Sequence, residues 1–131
     1  MEKKFVFLFV AAVMTLSACK EKFTPEGPTD IRIKNLSTMT FEQMTVNTSG
    51  GTNEYETLAG GAFTEYKRFD KAYPYAEVTA TIGGVIYSTG PQNYNYQVVL
   101  GQGKFTYEVY ISNPSQRILA VSKVIAEAPL D

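Results

Sequence analysis

The chain has 131 residues, with 12 basic and 13 acidic side chains, a formal charge of −1, one cysteine and no histidine or tryptophan. That length is enough for one domain with a sizeable core, and the near-neutral charge gives no electrostatic reason to expect nucleic acid or an anionic lipid surface as a partner. A chain without histidine and with a single thiol lacks the usual ligands for zinc and the usual base for serine catalysis.

Residues 1–18 read as a secretory signal peptide. Lys3 and Lys4 supply a positive start, and residues 5–16 form an apolar run interrupted only by Thr15. A bilayer-spanning helix needs about 20 apolar residues, so this run is too short to be a good one. Leu16-Ser17-Ala18-Cys19 closes it and resembles the lipobox of bacterial lipoproteins. The resemblance implies cleavage before Cys19, attachment of a diacylglycerol to its sulfur and acylation of the new amino terminus. Membrane lipid is then the first expected partner. One acyl chain binds marginally at about 0.8 kcal/mol per buried methylene, whereas two or three hold permanently. Lipidation of Cys19 would also leave the exported domain without a disulfide, a thiolate nucleophile or a cysteine metal ligand. Lys20 rather than aspartate follows the cysteine, which is consistent with outer-membrane delivery under the enteric sorting pattern; the periplasmic and surface faces both stay open.

Residues 19–29 then comprise the lipidated cysteine and a flexible tether. Pro25, Gly27 and Pro28 punctuate it and no apolar period runs through it. At roughly 3.3 Å per residue it reaches up to ~33 Å from the lipid.

The remaining residues, 30–131, alternate apolar and polar side chains with period two and predict a β domain rich in tyrosine and phenylalanine. Ile31 and Ile33 mark a first strand over 30–36. Phe41, Met44 and Val46 mark a second, and their change of parity predicts a bulge near Glu42-Gln43. Residues 47–53 are a loop, and 55–58 a short third strand ending at Gly60-Gly61. Residues 64–69 are either a short strand or an irregular crossing. The clearest strand covers 75–82, with Ala76, Val78, Ala80 and Ile82 on one face. Gly83-Gly84 is a two-residue hairpin signal that returns the chain through 85–87. A loop over 88–93 leads to a strand over 96–100, and Gly101-Gln102-Gly103 turns it into 104–111, where Phe105, Tyr107, Val109 and Ile111 face inward. The last segment, 118–125, also fits one face of a short helix; its β-branched residues favour a strand.

Seven or eight short strands describe an antiparallel β-sandwich, immunoglobulin-like or transthyretin-like in layout. A small up-and-down β-barrel is the alternative.

Residues 61–78, Gly-Ala-Phe-Thr-Glu-Tyr-Lys-Arg-Phe-Asp-Lys-Ala-Tyr-Pro-Tyr-Ala-Glu-Val, together with Ile31-Arg32-Ile33-Lys34-Asn35-Leu36-Ser37 and Gly103-Lys104-Phe105-Thr106-Tyr107, resemble a group of small lipoproteins from Bacteroidota. The resemblance covers most of the chain after the signal. It implies an envelope location and a sandwich domain, and it brings no activity with it.

Few residues suggest chemistry. Glu54, Glu56, Glu65, Asp70 and Glu77 are available for a glycosidase pair, which needs two carboxylates about 5–10 Å apart across a cleft; carboxylates on strands are ordinarily just solvated. A Ser-Lys pair has no motif behind it, and the oxygen-rich residues 47–56 do not have the spacing of an EF-hand calcium loop. No catalytic residue, metal ligand or cofactor is therefore assigned. The tyrosines carry more weight. Tyr73 and Tyr75 flank Pro74, and Tyr94 and Tyr96 flank Asn95; residues two apart on a strand share a face. Each pair would make a small aromatic platform for a sugar or a partner's pocket, or else cap the core with its hydroxyls on backbone carbonyls. Tyr66 and Phe69 belong to the core or its rim. Asn35-Leu36-Ser37 and Asn47-Thr48-Ser49 match the glycosylation sequon by chance. The expectation is a non-enzymatic binding or structural module at the cell envelope, monomeric, with a glycan or an envelope protein as its partner. The alternative is a carboxylate-based hydrolase acting on envelope or dietary glycans.

Overall fold

The alternation carries through into eight strands: β1 (Thr29–Asn35), β2 (Gln43–Asn47), β3 (Thr52–Tyr55), β4 (Lys67–Phe69), β5 (Glu77–Ile82), β6 (Val85–Ser88), β7 (Gly103–Asn113) and β8 (Ile118–Ala128). The computed structural model describes residues 23–131; the signal segment 1–18, the lipidation site Cys19 and the start of the tether lie outside the described residues. Among the described residues no helix forms. The segment that fitted either a helix or a strand is β8, where β-branched side chains lie along a ladder with β7.

The strands form one mixed sheet in the order β3-β2-β5-β6-β8-β7-β1-β4. It divides into two halves. β3-β2-β5-β6 is antiparallel throughout, and β8-β7-β1-β4 forms the other half. One pair, Ser88↔Ile118, joins them, reinforced by the Ser88 amide donating to Arg117 O at 3.1 Å. Inward side chains of both halves meet in a single core: Met44, Val46, Val78, Ala80 and Ile82 from one, Ile31, Ile33, Tyr107, Val109 and Leu119 from the other. On the far side Asn53 Nδ2 donates to Arg68 O at 2.8 Å, linking β3 to β4. Tyr55 Oη donates to Ile31 O at 2.7 Å beneath them. The all-β fold is thus a sandwich sewn together at both corners, close to a closed barrel.

The sheet is not antiparallel throughout, as the sequence suggested. β1 runs parallel to β7 along its whole length, and the single β6–β8 pair is parallel as well. Parallel neighbours need a long crossover, and here nearly the whole domain separates β1 from β7. β1 is consequently a central strand, with Thr29, Asp30, Ile31, Ile33 and Asn35 all buried. Glycine settles the β5–β6 hairpin: Gly83 and Gly84 take φ of 58° and 78°, the left-handed pair that a two-residue turn of this type requires.

Three local expectations fail. The third strand is Thr52–Tyr55, starting inside the expected loop 47–53 and ending where the expected strand 55–58 begins. The predicted strand over 96–100 does not form. Asn93 Oδ1 accepts from the Asn95 amide at 3.0 Å and Gln97 Nε2 donates to Asn93 O at 2.7 Å, so the chain turns there instead. Tyr96 and Val98 are left exposed, and only the Leu100 amide reaches back, to Ala72 O. The later part of the segment read as a tether is folded onto the domain. Thr24 and Gly27 form a reciprocal backbone bridge, Gln102 Nε2 donates to Thr24 O, and Gly27 lies so close to β4's continuation that a Cβ there would collide with Asp70 O.

Candidate functional site

The four tyrosines singled out from the sequence collect at one end of the domain, in a different arrangement from the one expected. Neither pair lies on a strand, because β5 begins at Glu77 and residues 94–96 sit in a turn. The ring contact forms across the pairs: Tyr73 and Tyr94 stack with centroids 4.8 Å apart and planes tilted by 33°. Tyr94 Oη donates to Asn47 O at the end of β2 at 3.2 Å. Partial burial, with the charge of nearby Glu77 adding to it, raises the pKa of the Tyr94 hydroxyl. Tyr75 is half exposed and Tyr96 is 97% exposed, so the two outer members offer ring faces while the inner members brace the loop.

Tyr75 also borders a shallow groove of about 270 Å³, together with Ala76, Thr89, Gln92, Ile118 and Ala120. This groove opens where β6 ends and β8 continues. Thr89 Oγ1 accepts from the Val78 amide at 3.0 Å and donates onward to Gly90 O at 3.0 Å, which holds the loop wall against β5. The arrangement has an aromatic rim, amide and hydroxyl groups in the wall and an apolar floor from β8. It suits a ligand that is itself part apolar and part hydrogen-bonding.

The tyrosines that cap the core through their hydroxyls are others. Tyr55 Oη donates to Ile31 O and Tyr107 Oη to Tyr73 O, and burial pushes both hydroxyl pKa values far above the ordinary range. Tyr107 holds the backbone from which Tyr73 projects, so it positions the site without lining it. An inward-facing tyrosine within an apolar strand must find an acceptor for its hydroxyl, and that is the signal in the sequence that points to it.

Three paired carboxylates sit on the β8-β7-β1-β4 half. Asp30 forms a two-pronged pair with Arg68, at 2.7 and 3.2 Å. Glu108 faces Lys34 at 4.0 Å and Lys123 at 3.7 Å, and Glu127 accepts from Thr106 Oγ1 at 3.0 Å. Arg32 donates to the same Thr106 hydroxyl and lies 4.1 Å from the Phe63 ring centroid. Glu56 and Glu65 line a smaller cavity of about 140 Å³ with Tyr55, Phe63 and Lys67; both are exposed. Among the described residues no group of three or more Asp, Glu, His or Cys is placed to hold a metal ion. In the segment 47–56, Asn47 Oδ1 accepts from the Ser49 amide and Thr48 Oγ1 donates to Lys71 O.

No protein-family model matches the chain, and no curated protein matches it. Among solved structures, a protein from Eubacterium rectale determined by NMR is similar in fold. The two superpose with a TM-score of 0.52 at 15% identity, over 79% of this chain and 96% of that one. At that identity the likeness concerns the arrangement of strands alone.

Proposed function

We propose that this chain is a lipid-anchored protein of the bacterial cell envelope, most simply of the outer membrane, and that its β domain acts by binding and not by catalysis. The anchor rests on the sequence, where an apolar run too short to span a bilayer ends at Leu16-Ser17-Ala18-Cys19. The observation that carries the binding role is the groove bordered by Tyr75, where Gln92 supplies an amide group beside an apolar floor from β8. Tyr75 and, outside the lining of the groove, Tyr96 expose their rings to solvent, and the stacked Tyr73–Tyr94 pair ties their two segments together. Ring faces next to amide and hydroxyl groups recognise sugars by stacking on their apolar faces while hydrogen-bonding their hydroxyls. A glycan of the envelope is therefore the ligand class favoured over a protein partner.

The test is a glycan array and calorimetric titration with the full-length protein in detergent, alongside Tyr75→Ala and Tyr96→Ala. Binding that falls at least about tenfold in Tyr75→Ala, with unchanged thermal stability, supports this reading, since an aromatic anchor is worth upward of about 1–2 kcal/mol; a loss in Tyr96→Ala alone moves the site off the groove. Glycan binding that is indifferent to both substitutions overturns the assignment of the groove.

The hydrolase reading has one observation in its favour, the shared cavity of Glu56 and Glu65. Release of reducing sugar that disappears in Glu65→Gln would establish it.

A further inference from the structure

Among the described residues β8 has a full strand partner on one side alone. β7 pairs with it from Ile118 to Ala128, whereas β6 reaches only Ile118. Among the described residues no other backbone hydrogen bond reaches residues 119–128. An open edge of this kind is a template for another strand, and the side chains along it specify which strand. Ser122 and Glu127 have no opposite residue on β7. Between them the ladder stays in step, with Lys123↔Glu108, Val124↔Tyr107, Ile125↔Thr106 and Ala126↔Phe105. Lys123, Ile125 and Glu127 lie on the outer face, held there by Lys123 Nζ at 3.7 Å from Glu108 Oε1 and by the Thr106–Glu127 hydrogen bond.

We infer that two copies of this chain pair antiparallel through their β8 edges, with Ile125 on the two-fold axis. In that register Lys123 of each copy stands opposite Glu127 of the other, Ile125 meets Ile125, and Val124 meets Ala126. The outer faces of the two sheets are then continuous. The charge pattern chooses this arrangement. Opposite charges facing each other on an antiparallel pair attract, whereas like charges repel. A parallel, in-register pair sets Lys123 against Lys123 and Glu127 against Glu127. Moving the axis to Val124 or to Ala126 keeps the faces aligned but leaves Lys123 or Glu127 opposite Ile125. The two-fold uses the same edge of both copies, so the assembly closes at two and cannot grow into a filament. The irregularities at Ser122 and Glu127 keep the new pairing short, which makes the dimer weak in dilute solution and favours it among copies crowded together.

The test is disulfide trapping of the full-length chain carrying Ile125→Cys, read on non-reducing gels. Facing residues of an antiparallel pair are roughly 4.5–5.5 Å apart at Cα, within the roughly 4.4–6.8 Å that a disulfide spans. The unsubstituted chain, with Cys19 alone, shows any bridging that does not involve the dyad. The expected result is a dimer band specific to Ile125→Cys. Adding Lys123→Glu lowers its yield about tenfold, because two attractive pairs become repulsive, and the further exchange Glu127→Lys restores it. Circular dichroism of each variant confirms that the fold is retained. A folded Ile125→Cys protein whose thiol titrates as free and does not bridge overturns the pairing. Bridging that ignores both charge changes overturns the register. Repeating the trap with Cys19→Ser removes any bridge that an unlipidated Cys19 could form with the introduced thiol, so failure here is distinct from failure of the anchor.

Discussion

Asn35 is completely buried at the end of β1, and replacing it with alanine is the sharpest test of how this fold is held together. Its Nδ2 donates to Met39 O at 2.7 Å and to Leu58 O at 3.2 Å. Its Oδ1 accepts from the Ser37 amide at 2.9 Å and from Ser37 Oγ at 2.7 Å. A hydrogen bond contributes about 0.5–1.5 kcal/mol net, so four of them set an upper range of about 2–6 kcal/mol. Part of that is recovered. Met39 is half exposed and can turn to water, and Leu58 O keeps the Phe41 amide as a partner at 2.9 Å. Asn35→Ala should therefore cost about 2–4 kcal/mol, which for a domain of this size lowers Tm by about 10–20 °C. Urea unfolding followed by circular dichroism measures it, with an unchanged m-value showing that the unfolded state is the same. Asn35→Asp separates the two sets of bonds. It keeps both acceptor interactions but aims a charge at two carbonyl oxygens, so it should be at least as damaging near neutral pH and partly recover in acid, where the protonated carboxyl regains one donor. An alanine variant that loses less than about 1 kcal/mol refutes the assignment of Asn35 as the pin between β1 and residues 39–58.

Val78 is fully buried on β5, and Val78→Asp should leave no cooperative thermal transition, because an unpaired carboxylate there has nothing to compensate its desolvation; a normal melting curve would mean that the faces of β5 are reversed. Burial raises the pKa of both Tyr55 and Tyr107, so stability should be flat up to the unfolded tyrosine pKa near 10 and then fall by up to about 1.4 kcal/mol per pH unit for each, as the unfolded chain ionises first. Absorbance near 295 nm would follow this, and ionisation of Tyr55 and Tyr107 before the loss of far-ultraviolet ellipticity would contradict it. Tyr107→Phe should cost about 1 kcal/mol in urea unfolding and loosen the Tyr73–Tyr94 stack, visible as a changed near-ultraviolet spectrum; an identical spectrum would disconnect Tyr107 from the groove. Cys19→Ser should abolish incorporation of labelled fatty acid and leave an uncleaved precursor; normal incorporation removes the anchor.

The inward faces of the strands were readable because period-two alternation is enforced by burial itself. Ala76, Val78, Ala80 and Ile82 could not be placed otherwise without exposing that whole stripe. The segment 96–100 looked similar and was not a strand, because its fate was set by Asn93 and Gln97, whose amides outcompete a ladder through bonds that span only two to four residues. The structural role of Asn35 went unread for a different reason, its match to a modification signal being a chance one. Asn35-Leu36-Ser37 matched a modification signal, yet the asparagine is buried and the serine serves as the local partner of its side chain. The four candidate tyrosines were read as two pairs of sequence neighbours, whereas the ring contact forms between Tyr73 and Tyr94. Neighbours in sequence are separated by Pro74 and Asn95, and the Tyr73–Tyr94 contact depends on how the loop after β6 folds back onto residues 72–76.

Sandwich and barrel stayed open in the sequence because the difference between them depends on very few groups. Alternation states which side chains point inward, and both architectures use the same inward set. The sheet passes from one half to the other through Ser88↔Ile118 alone, a pair with no apolar pattern to announce it. At the opposite corner the halves are held by Asn53 and Tyr55 reaching carbonyl oxygens of β4 and β1. Side-chain-to-backbone bonds of this sort leave no periodic trace. The same sparse pairing beside β6 leaves residues 119–128 of β8 without a second strand partner among the described residues. The way the domain closes on itself and the edge it offers to another copy therefore have one origin: β6 is too short to follow β8 beyond its first residue.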